Sequence, residues 1–442
     1  MLLNMYIKKT LIYNTAIMVC ILLAFGCAKD TQYKYGERPK TPYPDTSFAV
    51  ISDIHIYDPS LGSTGSAFEE TMRSDRKLLL NSIDLLDYAT KTIIKSGAKF
   101  VLISGDLTKD GESINHQLMA KKLKQLTSAG IAVYVVPGNH DINNPEAVRY
   151  DGDKTEPVAS ISAEDFAKIY GDFGFNAALM RDDDSLSYVA EPVKGLWLLC
   201  IDSCCYRENK PGGHETVDGK ISQKTADWMA SVLLAAADQN KAVIAVMHHG
   251  VVEHWKGQAK LHPKYLVNGY AAFGKFLASW NVRIAFTGHY HAQDITLGKF
   301  GDKFIYDIET GALVTAPCYI RHINMKDNIM HIRSEAIVDK IYPGTDFAVK
   351  SHAFVKRTVV LEAVKTLNKY MVSGKDAEYI ADAIGDAFIT HYDGDENTAL
   401  RQPFDTSTLG LWSSFIYSRY KYALEGLWVD LSPADNNVSL DL

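Results

Sequence analysis

Five short polar motifs each follow directly on an apolar run of the kind that forms a buried β-strand, and this pairing constrains the fold more than any other feature. Helical patterns separate several of these runs, which is the rhythm of an α/β domain. Loops at the carboxyl ends of neighbouring strands converge on one crevice, so we expect the motifs to meet there. In chain order the motifs are Asp53-Ile54-His55, Gly105-Asp106, Gly138-Asn139-His140-Asp141, His248-His249 and Gly288-His289-Tyr290-His291.

The five motifs differ in how specifically each one indicates a functional site. Asp-x-His and Gly-Asp occur by chance in many proteins, and a His-His pair lies more often at a surface than on a metal. The tetrapeptide Gly-Asn-His-Asp is rarer. All five in this order, each after a predicted strand, indicate a functional site rather than a structural requirement.

With these motifs the chain resembles the calcineurin-like metallophosphoesterase family, whose pattern runs D-x-H, G-D, G-N-H-D/E, H and G-H-x-H. The resemblance covers residues 48–338, and no motif residue is missing. It implies an α/β fold, a four-layer α/β/β/α sandwich, that holds two divalent metal ions.

The resemblance also implies the ligands of each ion. The first ion takes Asp53, His55, Asp106 and His291; the second takes Asp106, Asn139, His248 and His289, so that Asp106 bridges them. Mixed carboxylate, amide and imidazole donors suit Mn, Fe, Zn or Ni better than Mg or Ca. Two such ions lower the pKa of a bridging water and clamp a phosphate for in-line attack.

Residues beside the expected ligands have expected roles as well. His140 is placed to protonate the leaving oxygen, and the adjacent Asp141 is expected to fix its tautomer. His249 is either a neighbour of the ligands, a substrate contact or an ordinary hydrogen-bonded histidine. Purple acid phosphatases carry Tyr where this chain has Lys109, so a tyrosinate-coloured ferric centre is not expected. His214 and His254 are expected to lie in solvated loops.

The expected activity is hydrolysis of a phosphate ester by a metal-bridging hydroxide. A phosphodiester is favoured over a monoester because GDLTKDG, residues 105–111, resembles the cyclic-nucleotide phosphodiesterase branch. A lipid phosphodiester is a variant, since the sphingomyelinase-like branch also pairs this core with a helical C-terminal module. The alternative is a non-catalytic surface binding protein that retains the metal site and binds glycan or lipid through its C-terminal aromatics.

The N-terminus predicts export. Lys8 and Lys9 precede an apolar run that ends at Gly26-Cys27, which is typical of a signal peptide over residues 1–26. Ala24-Phe25-Gly26-Cys27 resembles the lipobox of bacterial lipoproteins, although Ala24 stands where Leu is usual; a plain signal peptide is the alternative. Residues 27–46 then read as a polar tether. We expect the protein in a bacterial cell envelope, anchored through lipidated Cys27.

The rest of the chain divides into two predicted parts. Residues 47–343 form the calcineurin-like domain, and residues 344–442 form a helical module with one apolar stripe through Val359, Ala363 and Leu367. The acidic stretch 393–397 resembles a calcium loop, but Thr398 and Phe404 occupy the positions where an EF-hand needs Gly and Glu. An EF-hand is therefore excluded.

The amino-acid composition limits the classes of binding partner that we expect. With 46 Lys+Arg against 53 Asp+Glu, the net charge of -7 provides no cationic surface for nucleic acid. The expected partners are a phosphate-ester small molecule or lipid and the membrane. Four cysteines remain beyond the leader, Cys200, Cys204, Cys205 and Cys318, and they are open to one or two disulfides or to burial as small apolar side chains.

Overall fold

The computed structural model of the protein describes residues 30–442 and places the predicted apolar runs in two mixed β-sheets. The predicted signal peptide and Cys27 lie outside the described residues. The strands among the described residues are β1 (Thr46–Ile51), β2 (Phe100–Ile103), β3 (Ala132–Val135), β4 (Val148–Asp151), β5 (Lys154–Pro157), β6 (Met180–Arg181), β7 (Tyr188–Val193), β8 (Leu196–Cys200), β9 (Ala242–Val246), β10 (Ile284–Thr287), β11 (Asp294–Phe300), β12 (Lys303–Glu309), β13 (Tyr319–Lys326), β14 (Ile329–Ala336) and β15 (Asn437–Asp441).

The α-helices cover the sheets and form most of the C-terminal module. In the described part of the chain they are α1 (Ser66–Ser74), α2 (Ser82–Ser96), α3 (Ser113–Ser128), α4 (Ala163–Ile169), α5 (Gln223–Asp238), α6 (Gln258–Leu261), α7 (Tyr270–Ser279), α8 (Phe347–Lys369), α9 (Gly374–Asp393) and α10 (Leu411–Gly426). The segment of residues 141–187 contains α4, which Ser162 opens with a capping box that includes Asp165.

The topology brings the motifs to one edge, as predicted. The first sheet has the order β15-β14-β13-β1-β2-β3, and the second has the order β11-β12-β10-β9-β8-β7-β6. Strands β1, β2 and β3 run parallel, as do β8, β9, β10 and β12. The five motifs follow β1, β2, β3, β9 and β10, so both sheets deliver their polar residues to the same crevice.

The two sheets face each other in the middle of a four-layer sandwich. Alternate residues of β8 show this: Leu198 belongs to the core between the sheets, whereas Trp197 and Leu199 belong to a second core with α5 and α7. Helices α2 and α3 cover the first sheet, and their apolar residues join the larger core. The α/β/β/α architecture is therefore confirmed.

The segment predicted to be a tether packs on the domain from Tyr33 onward. The ring of Tyr33 lies 5.2 Å from that of Phe276 on α7, and Trp280 Nε1 donates a hydrogen bond of 2.9 Å to the carbonyl of Lys34. Tyr43 is buried and donates to the carbonyl of Val243. Isolated aromatic residues thus secure a stretch that has no apolar periodicity.

The C-terminal module shares the core of the sandwich. Val359 of α8, Phe388 of α9 and Leu424 of α10 are buried in the same apolar cluster as the strands. The chain then returns to the first sheet, where β15 pairs antiparallel with β14. The predicted helices are confirmed, and this final strand was not anticipated by the sequence analysis.

Two further observations concern membrane-spanning helices and the cysteines. No helix within residues 30–442 combines the length and apolarity needed to cross a bilayer. In the same part of the chain the four cysteines are free thiols, and Cys200 is fully buried in β8. Burial raises the pKa of the Cys200 thiol to about 12, as for a small apolar side chain.

The junction between the sheets generates a stability prediction. The ring of Phe286 on β10 packs edge-on against Phe48 of β1, with 5.6 Å between ring centres. Phe286→Ala should lower the free energy of unfolding by about 3–5 kcal/mol, because it removes a buried ring at a close-packed junction. Denaturant unfolding measures the change, with Phe415→Ala, an exposed ring on α10, as the control. Equal effects of the two variants would contradict the assignment.

Candidate metal centre

The backbone at the strand ends adopts an unusual conformation that aims the predicted ligands into the crevice. Five of the seven have positive φ angles, between 40° and 79°, where residues other than glycine are uncommon: Asp53, His55, Asp106, His289 and His291. Such conformations persist only where the surrounding structure imposes them, and they concentrate at functional sites.

Two glycines of the motifs permit this close approach. A Cβ at Gly138 would collide with the side chain of Asp106, and a Cβ at Gly288 would collide with Ser52 and Asp53. The glycines in the Gly-Asn-His-Asp and Gly-His-x-His motifs are therefore needed because carboxylates occupy the space beside their backbone.

The first predicted ligand set lies together. Asp53, His55, Asp106 and His291 each offer a donor atom within 4.8 Å of the others. His55 Nε2 is 3.5 Å from Asp106 Oδ2 and 3.4 Å from His291 Nε2. Two donors ~2.1 Å from one ion lie ~3.4 Å apart at tetrahedral angles, so this spacing suits a shared metal ion.

The second predicted set shares Asp106 with the first. His248 Nε2 is 3.3 Å from Asp106 Oδ2 and 3.1 Å from Asn139 Oδ1. His289 completes the group with Asp106 and His248. Asp106 is held in position by the backbone N–H of His140, which donates to its Oδ1 at 3.0 Å.

Hydrogen bonds to the protein fix which nitrogen of each imidazole is left for a metal. His289 differs from the other three, because its Nε2 is the bonded nitrogen and Nδ1 remains as the donor. Bonds of this kind set the tautomer and the ring orientation of metal-ligating histidines. The contacts are His55 Nδ1 with Thr108 O, His248 Nδ1 with Ser104 O, His291 Nδ1 with Thr315 Oγ1, and His289 Nε2 with Val217 O.

The charges in the crevice also suit metal ions. Burial lowers the pKa values of His55, His289 and His291 well below the usual range, which keeps these rings neutral as ligands must be. Burial opposes the ionisation of Asp106, but the imidazoles around it, His248 first, hold its pKa well below normal. The seven residues therefore fit two divalent ions with mixed nitrogen and oxygen donors.

His248 couples metal binding to pH. Burial disfavours its charged form, but Asp106 outweighs that effect and raises the pKa of His248 to about 9. A metal ion held by the same two side chains would take the place of this proton. Metal binding at neutral pH therefore releases a proton, and the affinity falls as the pH falls.

The partner of His140 is Asp110, a residue that the sequence analysis did not single out. His140 Nδ1 lies 2.8 Å from Asp110 Oδ1, while Nε2 is 4.0 Å from Asp106 Oδ2. Burial opposes the ionisation of Asp110, but the adjacent ammonium of Lys109 holds its pKa well below normal. Its only sequence signal is its place within the GDLTKDG stretch.

The expectation for Asp141 is wrong. Its carboxylate faces away from the imidazole of His140 and accepts backbone N–H bonds from Gly138 at 2.8 Å, Thr108 at 3.0 Å and Leu107 at 3.2 Å. Asp141 therefore ties the loop after β2 to the loop after β3. It positions the loops that carry Asp106 and Asn139.

The other histidines differ in their surroundings. His249 is buried; its Nδ1 lies 2.7 Å from Ser203 Oγ and its Nε2 lies 3.0 Å from Val217 O. Its ring is 4.5 Å from that of His289, so it packs behind a ligand with both nitrogens bonded. His214 is exposed, as expected. The expectation for His254 is wrong, because carboxylates of the second sheet enclose it.

This fold and these paired donor groups define the class of protein as one built to hold two divalent metal ions between two β-sheets. The model of the calcineurin-like phosphoesterase family matches residues 46–293, more than half of the chain. The chain belongs to that family.

Individual relatives are distant. An uncharacterized metallophosphoesterase of Bacillus subtilis, YhaO, is 27% identical over 156 residues, which is 33% of this chain and 37% of that protein. The match thus spans little more than a third of the relative's length. Similar solved structures include a dimetal phosphatase from Danio rerio (TM-score 0.49, 16% identity, 66% of this chain and 97% of that one) and the purple acid phosphatase PPD1 from yellow lupin seeds (TM-score 0.43, 12% identity, 67% and 53%).

The shared carboxylate generates a prediction about metal content. Asp106→Ala should lower the content by more than one ion per chain and abolish turnover, because both donor groups lose a member. His291→Ala and His289→Ala should each chiefly empty one group. Elemental analysis of the purified variants measures the effect.

Asp110→Asn is the matched control, because it changes a buried carboxylate four residues away that belongs to neither donor group. This variant should keep both ions. An unchanged metal count in Asp106→Ala would show that Asp106 does not bind both ions.

Proposed function

We propose that the protein hydrolyses a phosphodiester and that His140 is the general acid. The observation that carries the proposal is the position of His140 at the rim of the donor groups. Its side chain is 16% exposed, whereas those of the ligands His55 and His248 are fully buried. It therefore adjoins both the metal ligands and the side from which a substrate enters.

The chain's own residues supply positioning and a proton. Bound divalent ions provide Lewis acidity that activates water and offsets phosphate charge. Asp110 accepts the Nδ1 proton of His140, which leaves Nε2 to carry a second proton toward the substrate. When the ester bond breaks, that proton passes from Nε2 to the leaving oxygen, and the ring stays anchored to Asp110 in its neutral form.

The charges around the phosphate favour a diester, which carries one negative charge where a monoester carries up to two. Lys109 is 5% exposed and paired with Asp110 and Glu112, so its charge is compensated inside the protein. Lys77 is half-buried. Burial of His291 is the main cause of its lowered pKa, and the positive charge of Lys77 is the second cause. Lys77 therefore places positive charge near the predicted ligand His291.

The leaving group tests the role of His140. General-acid assistance is typically worth ~10²–10⁴ in rate and matters most for a poor leaving group. His140→Ala should therefore reduce turnover of an alkyl or nucleoside ester far more than that of a p-nitrophenyl ester, with the metal content preserved. Rates on esters of graded leaving-group pKa, measured at saturating metal, give the dependence.

Asp110→Asn tests the positioning of the same ring. It should show a smaller loss with the same dependence on the leaving group, because the imidazole remains but is less well held. Equal losses across the ester series in His140→Ala would mean that His140 does not donate the proton.

A cavity behind the loop that carries His289 and His291 favours a lipid as the diester. About 480 Å³ of apolar space lies between the C-terminal helices and the loop around Trp255, with Phe388 and Leu424 in its wall. The ring of Phe388 is 6.2 Å from that of Tyr290, which lies between His289 and His291 in the chain. An acyl chain in this cavity would lie beside the loop that carries two metal ligands.

The same cavity supports the alternative function, a non-catalytic protein that binds lipid or glycan through its C-terminal module. Metal analysis combined with a screen of phosphate mono- and diesters separates the two. Two ions per chain without turnover of any ester would favour the binding protein. Turnover that depends on Asp106 would exclude it.

We also propose that the protein is exported and anchored in a bacterial envelope through lipidated Cys27. The apolar run that ends at Gly26-Cys27 supports this. Cys27→Ser should move the protein from the membrane fraction to the soluble fraction, because it removes the thiol that carries the lipid. Fractionation and immunoblotting measure the distribution, with Cys20→Ser as the control. A wild-type protein that is already soluble would contradict the anchor.

A further inference from the structure

A second cluster of carboxylates and imidazoles is buried where the C-terminal module meets the second sheet. Asp294 begins β11, and Asp307 and Glu309 lie on β12. From the module, His391 near the end of α9 and Glu396 in the loop after it reach the same place. Each of these five residues is less than a tenth exposed.

Three members of this cluster have the spacing of a metal site. Asp294, His391 and Glu396 each offer a donor atom within 4.8 Å of the other two. His391 Nδ1 is 3.8 Å from Asp294 Oδ2 and makes a close contact with Glu396 Oε1. None of the three belongs to the donor groups around Asp106.

The carboxylate of Glu396 is incompletely hydrogen-bonded in this cluster. Its side chain is 1% exposed, and Oε2 has no hydrogen-bond partner among the described residues. A buried carboxylate oxygen without a partner is costly, so such atoms are rare in native proteins. A cation beside Glu396 would satisfy this oxygen.

The charge balance points the same way. His254 pairs with Asp294 at 2.6 Å and lies 3.3 Å from Asp307, so one imidazole serves two carboxylates. The buried guanidinium of Arg321 also lies here, and its Nη2 donates to the backbone carbonyls of Asp294 and Glu309. Burial raises the pKa of Glu309 well above normal, which relieves part of the remaining negative charge through protonation. Among residues 30–442, the close side-chain contact of Glu396 is with His391.

A second group of carboxylates lies near the cluster. Asp395 is exposed, Asp430 is half-buried and Asp435 is fully buried, and these three carboxylates lie within 4.8 Å of one another. Burial is the main cause of the raised pKa of Asp430, and the negative charges of Glu396 and Asp294 raise it further. These three carboxylates are therefore neighbours.

We propose that Asp294, His391 and Glu396 bind a third divalent metal ion that clamps the C-terminal module to the sandwich. One imidazole with two carboxylates suits Zn²⁺ or Mn²⁺ better than Ca²⁺. Asp294 lies on β11 and the other two on the module, so the ion joins the two parts of the chain.

Metal stoichiometry of the full-length protein tests the site. After removal of metal and reloading with Zn²⁺, native mass spectrometry should find three ions per wild-type chain and two in Glu396→Gln. Turnover of a phosphate ester should be unchanged in Glu396→Gln, because the donor groups around Asp106 are intact. Its melting temperature should fall by several degrees and respond less to Zn²⁺, because the clamp is lost.

Two further variants make the outcome specific. Asp382→Asn changes an exposed carboxylate on the same helix, α9, and should keep three ions. His391→Cys retains a metal donor and should keep the third ion where His391→Ala loses it. Two ions in the zinc-saturated wild type, or three in Glu396→Gln, would overturn the proposal and leave a hydrogen-bonded histidine–carboxylate cluster. Because ions are counted, this outcome is independent of whether any ester is hydrolysed.

Discussion

The geometry of both donor groups depends on one buried charge, the carboxylate of Asp106. Burial alone would favour its neutral form, and the surrounding imidazoles reverse that preference. Asp106 follows β2 in the first sheet, whereas its neighbour His248 follows β9 in the second. The attraction between them holds the open ends of the two sheets together, so the centre is also part of what aligns the layers.

Local patterns were sufficient to predict which polar residues come together in the crevice. Short apolar runs identify parallel strands, and a polar motif at the end of a run must enter the crevice that such strands create. Hydrogen-bond partners were harder to predict, because they depend on the path of each loop. Asp141 is adjacent to His140 in the chain, yet its carboxylate turns to backbone N–H groups, while Asp110 reaches the ring from another loop.

Burial of isolated residues was equally hard to predict. The stretch before β1 is polar on average, but single rings such as Tyr33 and Tyr43 find apolar partners far along the chain and order it. His254 follows an apolar strand in a loop that suggested solvent exposure, and carboxylates from β11 and β12 enclose it. These contacts are long-range, so neither composition nor periodicity reports them.

The last strand has a consequence for the order in which the protein matures. β14 ends at Ala336, whereas its partner β15 begins only at Asn437, after the three C-terminal helices. During synthesis the outer edge of the first sheet therefore remains unpaired until those helices have left the ribosome. An open edge can recruit a strand from another nascent chain. Premature termination within the helices would leave this edge unpaired and remove apolar residues from the shared core, which would expose a surface prone to aggregation.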